Sequence, residues 1–213
     1  VDIETIIKKL ELPADFPSPV KEEVAAIPET IAEKEVKRRK DLRDVKMVTI
    51  DGADAKDFDD AVSIERLNES EVRLGVHIAD VTHYVKEDSP LDKEALERGT
   101  SIYLVDRVIP MLPEKLSNNL CSLRSNEDRL AMSVLMKFDL NSGEVLEHEI
   151  TESVINVDQR LTYQQVKRIL VDEDEQLINK FNHLISDLRL MAKLSRKIRQ
   201  LRKEKGSVDF EFP

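Results

Sequence analysis

Apolar residues along this chain follow two periods. Val72, Leu74, Val76 and Ile78 alternate strictly with Glu71, Arg73, Gly75 and His77. A period of two is that of a β-strand with one buried face. Residues 45–50 and 61–65 also have strand composition, and residues 67–70 turn the chain, so the pattern predicts a hairpin. Residues 131–139 and 144–157 read as two further strands joined by the turn Asn141-Ser142-Gly143. Near the other end, Leu177, Phe181, Leu184, Leu188, Met191, Leu194, Ile198 and Leu201 recur at helical spacing. That stripe predicts one long amphipathic helix over about residues 175–205.

Boundary signals place the shorter helices. Asp2 can cap a helix to about residue 10, which Leu12-Pro13 stops; Ser18-Pro19 starts a second and Ile27-Pro28 ends it. Ser89-Pro90 with Asp92 approximates a capping box, Gly99 is a helix stop, and Thr162 with Gln165 spells another capping box. Short extended pieces at 102–105 and 108–109 precede a proline-framed loop. The reading is a mixed α+β fold whose strands are mostly antiparallel, because hairpin-length links join them, with flanking helices.

Composition narrows this picture. With 213 residues the chain can bury a substantial core. There is no Trp, and aromatics are 4%, so the core is mainly aliphatic. Cys121 is the single cysteine, which excludes an internal disulfide and any zinc site built on paired cysteines. No apolar run approaches bilayer length, and Val1-Asp2-Ile3-Glu4 is not a secretory leader, so a cytoplasmic protein is expected. The start at Val1 and the end at Phe212-Pro213 read as a piece of something longer.

The formal net charge is −10. That argues against a nucleic-acid coat protein but leaves room for an enzyme that meets a polyanion locally through metal ions. Two basic stretches stand out: residues 34–43, and the cations from Arg189 to Lys205 on the last helix. Each reads as a solvated face or, alternatively, as contact with phosphate. His77, Asp80 and His83 look like ligands but fit ordinary structural roles better.

The most unusual stretch is residues 49–61, TIDGADAKDFDDA, with five aspartates within ten residues between two strand-like segments. A loop there gathers carboxylates that repel one another unless they are exposed, protonated or neutralised by cations. An EF-hand register fails from every start: from Asp57, Val62 stands where Gly is needed and Asn68 where Glu is needed. From Asp51 and Asp54 it fails at Ala53 and Lys56. An exposed acidic turn and a catalytic magnesium site, in which hard carboxylate oxygens share the ion with water and substrate phosphate, both remain open on spacing alone.

The stretch TIDGADAKDFDDAV resembles the acidic motif of the ribonuclease II/ribonuclease R (RNB) exoribonuclease family. HIADVTHYV (77–85), GTSIYLVDRVIPMLP (99–113), LSNNLCSL (116–123) and RLTYQQV (160–166) resemble further family stretches in the family's order. The resemblance implies a helical arm over 1–40 that precedes the catalytic domain. It implies that 41–213 is the N-terminal part of that domain, built on a barrel-like sheet. It also implies Mg²⁺-dependent, processive 3′→5′ hydrolysis of single-stranded RNA to nucleoside 5′-monophosphates by a monomeric parent protein. By motif match, Asp51, Asp57, Asp59 and Asp60 are the catalytic aspartates. Asp51, Asp57 and Asp60 serve mainly as metal ligands, and Asp59 is the most sensitive to change. Tyr103 and Phe210 match aromatics that stack on the terminal nucleotides. The family's later part supplies an arginine motif absent here, so the isolated chain is expected to be nearly inactive. The rival readings are a catalytically dead RNA-binding or scaffold member, and a metal-stabilised structural module.

Overall fold

The computed structural model describes residues 3–208; the expected cap at Asp2 and the expected stacking aromatic Phe210 lie outside them. Three helices open the chain: α1 (Ile3–Lys9), α2 (Ser18–Ala26) and α3 (Glu33–Arg38). Strands β1 (Lys40–Asp41), β2 (Met47–Asp51), β3 (Asp60–Arg66) and β4 (Glu71–Ala79) follow. Helices α4 (Val81–Tyr84) and α5 (Pro90–Arg98) lead to a small hairpin of β5 (Ile102–Tyr103) and β6 (Val108–Ile109). The long strands β7 (Asp128–Asp139) and β8 (Val145–Asn156) precede β9 (Gln159–Thr162), α6 (Tyr163–Leu170), α7 (Glu175–Lys180) and α8 (Ile185–Glu204).

Among the described residues, seven strands form one sheet in the order β1-β8-β7-β4-β3-β2-β9. Only the two ends are parallel, β1 with β8 and β2 with β9. The mixed α+β class and the antiparallel bias agree with the sequence pattern. The barrel-like closure does not: β1 and β9 end opposite edges of the row and do not pair with each other. At two and four residues, these edge strands are too short to close it.

Helices cover both faces, giving three layers. One core joins Val20 and Val24 of α2, Leu91 of α5 and Leu116, Leu120 and Leu123 to Met47, Phe58, Ala61, Ala79 and Ala131. On the other face α6–α8 bury Val48 and Leu161 with Ile169, Phe181, Leu184 and Leu188, and Ile64, Val72 and Phe138 with Leu190 and Leu194. The local signals behave as chemistry demands. Thr162 Oγ1 accepts from Gln165 N–H at 3.1 Å while Gln165 Oε1 accepts from Thr162 N–H at 2.9 Å. Gly99 closes α5 at a positive φ of 68°. Ser18, by contrast, sits inside α2, behind Pro17, and no side chain caps that helix.

Two expectations are corrected. The stripe from residue 175 is not one helix, because α7 ends at Lys180, a single 3₁₀ turn (Asn182–Leu184) follows Phe181, and α8 restarts. The break lets Phe181 and Leu184 both point into the core, so the apolar spacing survives it. On β4 the burial crosses over. Ile78 is 44% exposed, whereas Gly75, His77 and Ala79 on the supposedly polar face are buried.

His77 can be buried because its ring is satisfied on both sides. Nε2 meets Ser63 Oγ at 3.0 Å and Nδ1 meets Ser133 Oγ at 2.7 Å, and Ser133 in turn meets Ser153 Oγ at 2.6 Å. This polar ladder crosses β3, β4, β7 and β8. Gly75 makes room for it, since a Cβ there would stand 2.3 Å from Ser63 Oγ and 2.6 Å from His77 Nε2. Burial pulls the His77 pKa down to about 4. The unfolded chain therefore binds this proton more readily than the folded one. The stabilisation is complete above about pH 6.5 and is lost as pH falls toward 4, the loss reaching about 3 kcal/mol below that. Urea midpoints measured from pH 7.5 to 4 should fall more steeply for the native chain than for His77→Gln. Parallel curves would contradict the assignment.

Candidate active site

The carboxylate-bearing loop is residues 52–59, the link between β2 and β3. It is held in shape from three directions. Gly52 accepts from Ala55 N–H at 3.3 Å, closing a turn. Phe58 turns inward and is buried. Its N–H donates to Ser122 Oγ at 3.1 Å, and its carbonyl accepts from Leu123 N–H at 2.8 Å. Ser122 Oγ also donates to the Lys56 carbonyl at 2.7 Å. Ser122 follows a π-helical turn, Leu116–Leu120, and Arg129 Nε donates to its carbonyl at 2.9 Å. From the far side, Arg160 of β9 reaches over the loop. Its Nη2 lies 3.0 Å from the Gly52 carbonyl, 2.6 Å from that of Ala53 and 3.4 Å from that of Ala55. Its guanidinium stands 4.9 Å from the centre of the Phe58 ring.

With Phe58 pinned inside, the aspartates on either side face outward. Asp51, Asp54, Asp57 and Asp59 line one cleft of about 790 Å³, walled by Tyr103, Val108 and Pro110, with Arg107, Glu114 and Asn118. Tyr103 is 68% exposed, and its phenol donates to Asp57 Oδ2 at 3.1 Å. That bond holds the phenol pKa above its usual value. Asp60, the first residue of β3, does not line the cleft, but its charge is felt there. Burial raises the Asp51 pKa, Asp60 and Asp57 raise it further, and Arg160 opposes them. Asp59 is reachable by solvent, yet surrounding protein and then Asp57, Asp60 and Asp51 push its pKa up. The four carboxylates therefore act on one another as a group.

Such a group is the donor set of a hard divalent cation, all oxygen with no thiol or imidazole. Among the described residues no three His, Cys, Asp or Glu side chains converge closely enough to hold an ion as they are placed. The fit lies in the donor chemistry and in the mutual repulsion that a cation would relieve.

The other candidates fall into structural roles. His77 belongs to the buried ladder, Asp80 pairs with Arg39, and His83 Nδ1 lies 3.7 Å from Glu35, so the three share no point. Cys121 is buried, and burial pushes its thiol up to about 12. The basic stretch 34–43 is largely consumed internally. Lys37 pairs with Glu33, Arg38 with Glu35 and Glu152, Arg39 with Asp80, Lys40 with Glu149, and Arg43 with Asp41 and Asp128. On α8, in contrast, Arg189, Lys193, Arg196, Arg199 and Arg202 have no ion-pair partner among the described residues. Sequence reasoning passed over Ser122 and Arg160, although both lie in quoted stretches. A hydroxyl or guanidinium that binds backbone carbonyls leaves no charge pattern to read. Among the described residues no helix is long and apolar enough to cross a membrane.

Comparison with known proteins identifies the family. The chain is 49% identical to ribonuclease R of Aquifex aeolicus over all of this chain and 30% of that protein. It is 45% identical to ribonuclease R of Thermotoga maritima over 98% of this chain and 29% of that one. It thus spans about 30% of the length of these relatives. The structure of Mycoplasma genitalium RNase R in complex with ribose-methylated single-stranded RNA superimposes with a TM-score of 0.86 at 31% identity, over 99% of this chain and 32% of that one. Residues 39–213 match the RNB domain, and the chain belongs to that family.

Proposed function

We propose that this chain carries the acidic part of the active site of a processive 3′→5′ exoribonuclease that hydrolyses single-stranded RNA to nucleoside 5′-monophosphates. The observation that carries the proposal is the placement of Asp51, Asp57 and Asp59 on one cleft whose wall holds an exposed tyrosine bonded to Asp57. Relatives at 45–49% identity are named ribonuclease R, and RNA is present in the structure of a similar protein.

Asp51, Asp57 and Asp60 would hold Mg²⁺, which when bound supplies Lewis-acid polarisation of the scissile phosphate and of water. Asp59 orients the attacking water. Water adds to phosphorus, the bond from phosphorus to the ribose 3′-oxygen breaks, and that oxygen leaves with a proton; the 2′-hydroxyl is not the nucleophile. Tyr103 offers an open ring face to the terminal base. Such stacking is worth roughly 1–3 kcal/mol per base and accepts any base, as a processive nuclease requires. Its bond to Asp57 ties the base-binding wall to the carboxylates, so the terminal nucleotide and the reacting phosphate are placed by one unit. The parent protein works as a cytoplasmic monomer.

The test is to incubate the complete gene product and the 213-residue chain side by side with 5′-labelled single-stranded RNA and Mg²⁺. The complete product is expected to shorten the RNA stepwise from its 3′ end and release 5′-monophosphates. The 213-residue chain is expected to be slower by orders of magnitude, since a missing stabiliser of phosphate charge costs roughly 10²–10³-fold. Equal rates would contradict that division of labour. Binding without turnover by the complete product would favour an RNA-binding scaffold.

A further inference from the structure

We propose that Arg160 is a positioning residue for the carboxylate cluster, acting through the backbone of the loop rather than on RNA. This rests on the reading of the cleft as an active site and deepens it.

One nitrogen, Nη2, meets three carbonyl oxygens, those of Gly52, Ala53 and Ala55. Those residues run from Asp51 through the turn that carries Asp54 toward Asp57. The guanidinium carbon also stands over the ring of Phe58, the inward anchor of the same loop. The loop is therefore clamped between Ser122 on the core side and Arg160 on the outer side. Arg160 is supplied from a neighbouring strand: it pairs in register with Thr49 of β2, two residues before Asp51. It thus links the strand that ends in the first carboxylate to the loop that bears the next ones.

The choice of residue follows from the geometry. A loop with three aspartates, flanked by Asp51 and Asp60 at the adjoining strand ends, tends to splay, because each separation lowers the mutual repulsion. A cation bound to the loop's carbonyls opposes the splaying without occupying any carboxylate oxygen. The carboxylates stay available for another cation. Lysine, a compact charge without a planar fork, can supply the charge but not the combined contact with the Phe58 ring and several carbonyls.

The experiment uses Arg160→Ala and Arg160→Lys in the complete gene product with four readouts: Mn²⁺ binding by calorimetry without RNA, kcat and KM on single-stranded RNA, amide hydrogen exchange at residues 52–58, and the urea midpoint. For Arg160→Ala, Mn²⁺ affinity and kcat should fall roughly 10–100-fold, the range for groups that orient metal ligands. KM should change little, and exchange over 52–58 should rise well beyond what any drop in the urea midpoint accounts for. Arg160→Lys should fall in between. A merely structural role would lower the midpoint and leave Mn²⁺ affinity and kcat of the folded protein in place, which would overturn the proposal. Unchanged exchange at 52–58 would overturn it as well. If the native protein neither binds Mn²⁺ nor cleaves RNA, the active-site reading fails, and the exchange measurement still decides whether Arg160 holds the loop.

Discussion

Asp59→Asn in the complete gene product is expected to reduce RNA turnover by roughly 10²–10³-fold while leaving RNA binding close to native. The substitution keeps the size of the side chain and removes one negative charge. Asp59 is the group on which Asp57, Asp60 and Asp51 all act, so it stands at the electrostatic centre of the cluster. In the proposed reading RNA would be held elsewhere: Tyr103, the aromatic proposed to stack on the terminal base, is on the small hairpin, and its bond is to Asp57 rather than Asp59. Because the carboxylates work as a unit, Asp57→Asn combined with Asp59→Asn should cost little more than the worse of the two alone. Single-turnover kinetics with a filter-binding assay separates the two effects. Unchanged turnover, or turnover and binding lost in parallel, would contradict the assignment.

The second large effect is on stability. Arg39→Ala should destabilise the chain by about 3–5 kcal/mol, the cost of breaking one partner out of a buried ion pair. Arg39 Nη2 donates to Asp80 Oδ2 at 2.6 Å, and the two side chains are 1% and 3% exposed. Asp80 also accepts from Thr82 Oγ1 at 2.7 Å and caps α4 through His83 N–H at 3.2 Å. Burial alone would raise the Asp80 pKa, but Thr82, Arg39 and the His83 amide together hold it below the usual carboxylate value. Without the guanidinium a buried carboxylate remains, and it must take up a proton or draw in water. Arg39→Met with Asp80→Leu should be far milder, because it removes both charges. Urea denaturation decides; a loss under about 1 kcal/mol for Arg39→Ala would contradict the account of a buried pair whose breaking strands Asp80.

The same pair shows why the basic stretch 34–43 was open to two readings. Its partners Asp80, Glu149, Glu152 and Asp128 lie far along the chain and come near only when β1 joins β8. Local signals fared better. The Thr162–Gln165 box, the Gly99 stop and the aspartate loop between two strands depend on neighbours within a few residues, and each stands where the sequence puts it. The hydrophobic alternation located β4 but not its burial. A histidine counts as polar in a periodicity argument, and only the serines on β3 and β7 make its interior position tolerable. The break at Phe181 was hidden because a 3₁₀ turn preserves the apolar spacing across it. At the site, the carboxylates were legible from charge density. Ser122 and Arg160 were not, because they act on backbone oxygens that every sequence possesses.

The central claim is that the aspartates of one loop and of the two strand ends that frame it hold divalent cations for RNA hydrolysis. Crystals of the complete gene product grown with Mn²⁺ and measured for anomalous scattering test it most directly. The account predicts Mn²⁺ at the edge of the cleft, bound by oxygens of Asp51 and Asp57 from the cleft and of Asp60 from the start of β3, with Asp59 beside it. Carboxylates turned to solvent, with no anomalous peak between them at saturating Mn²⁺, would contradict it.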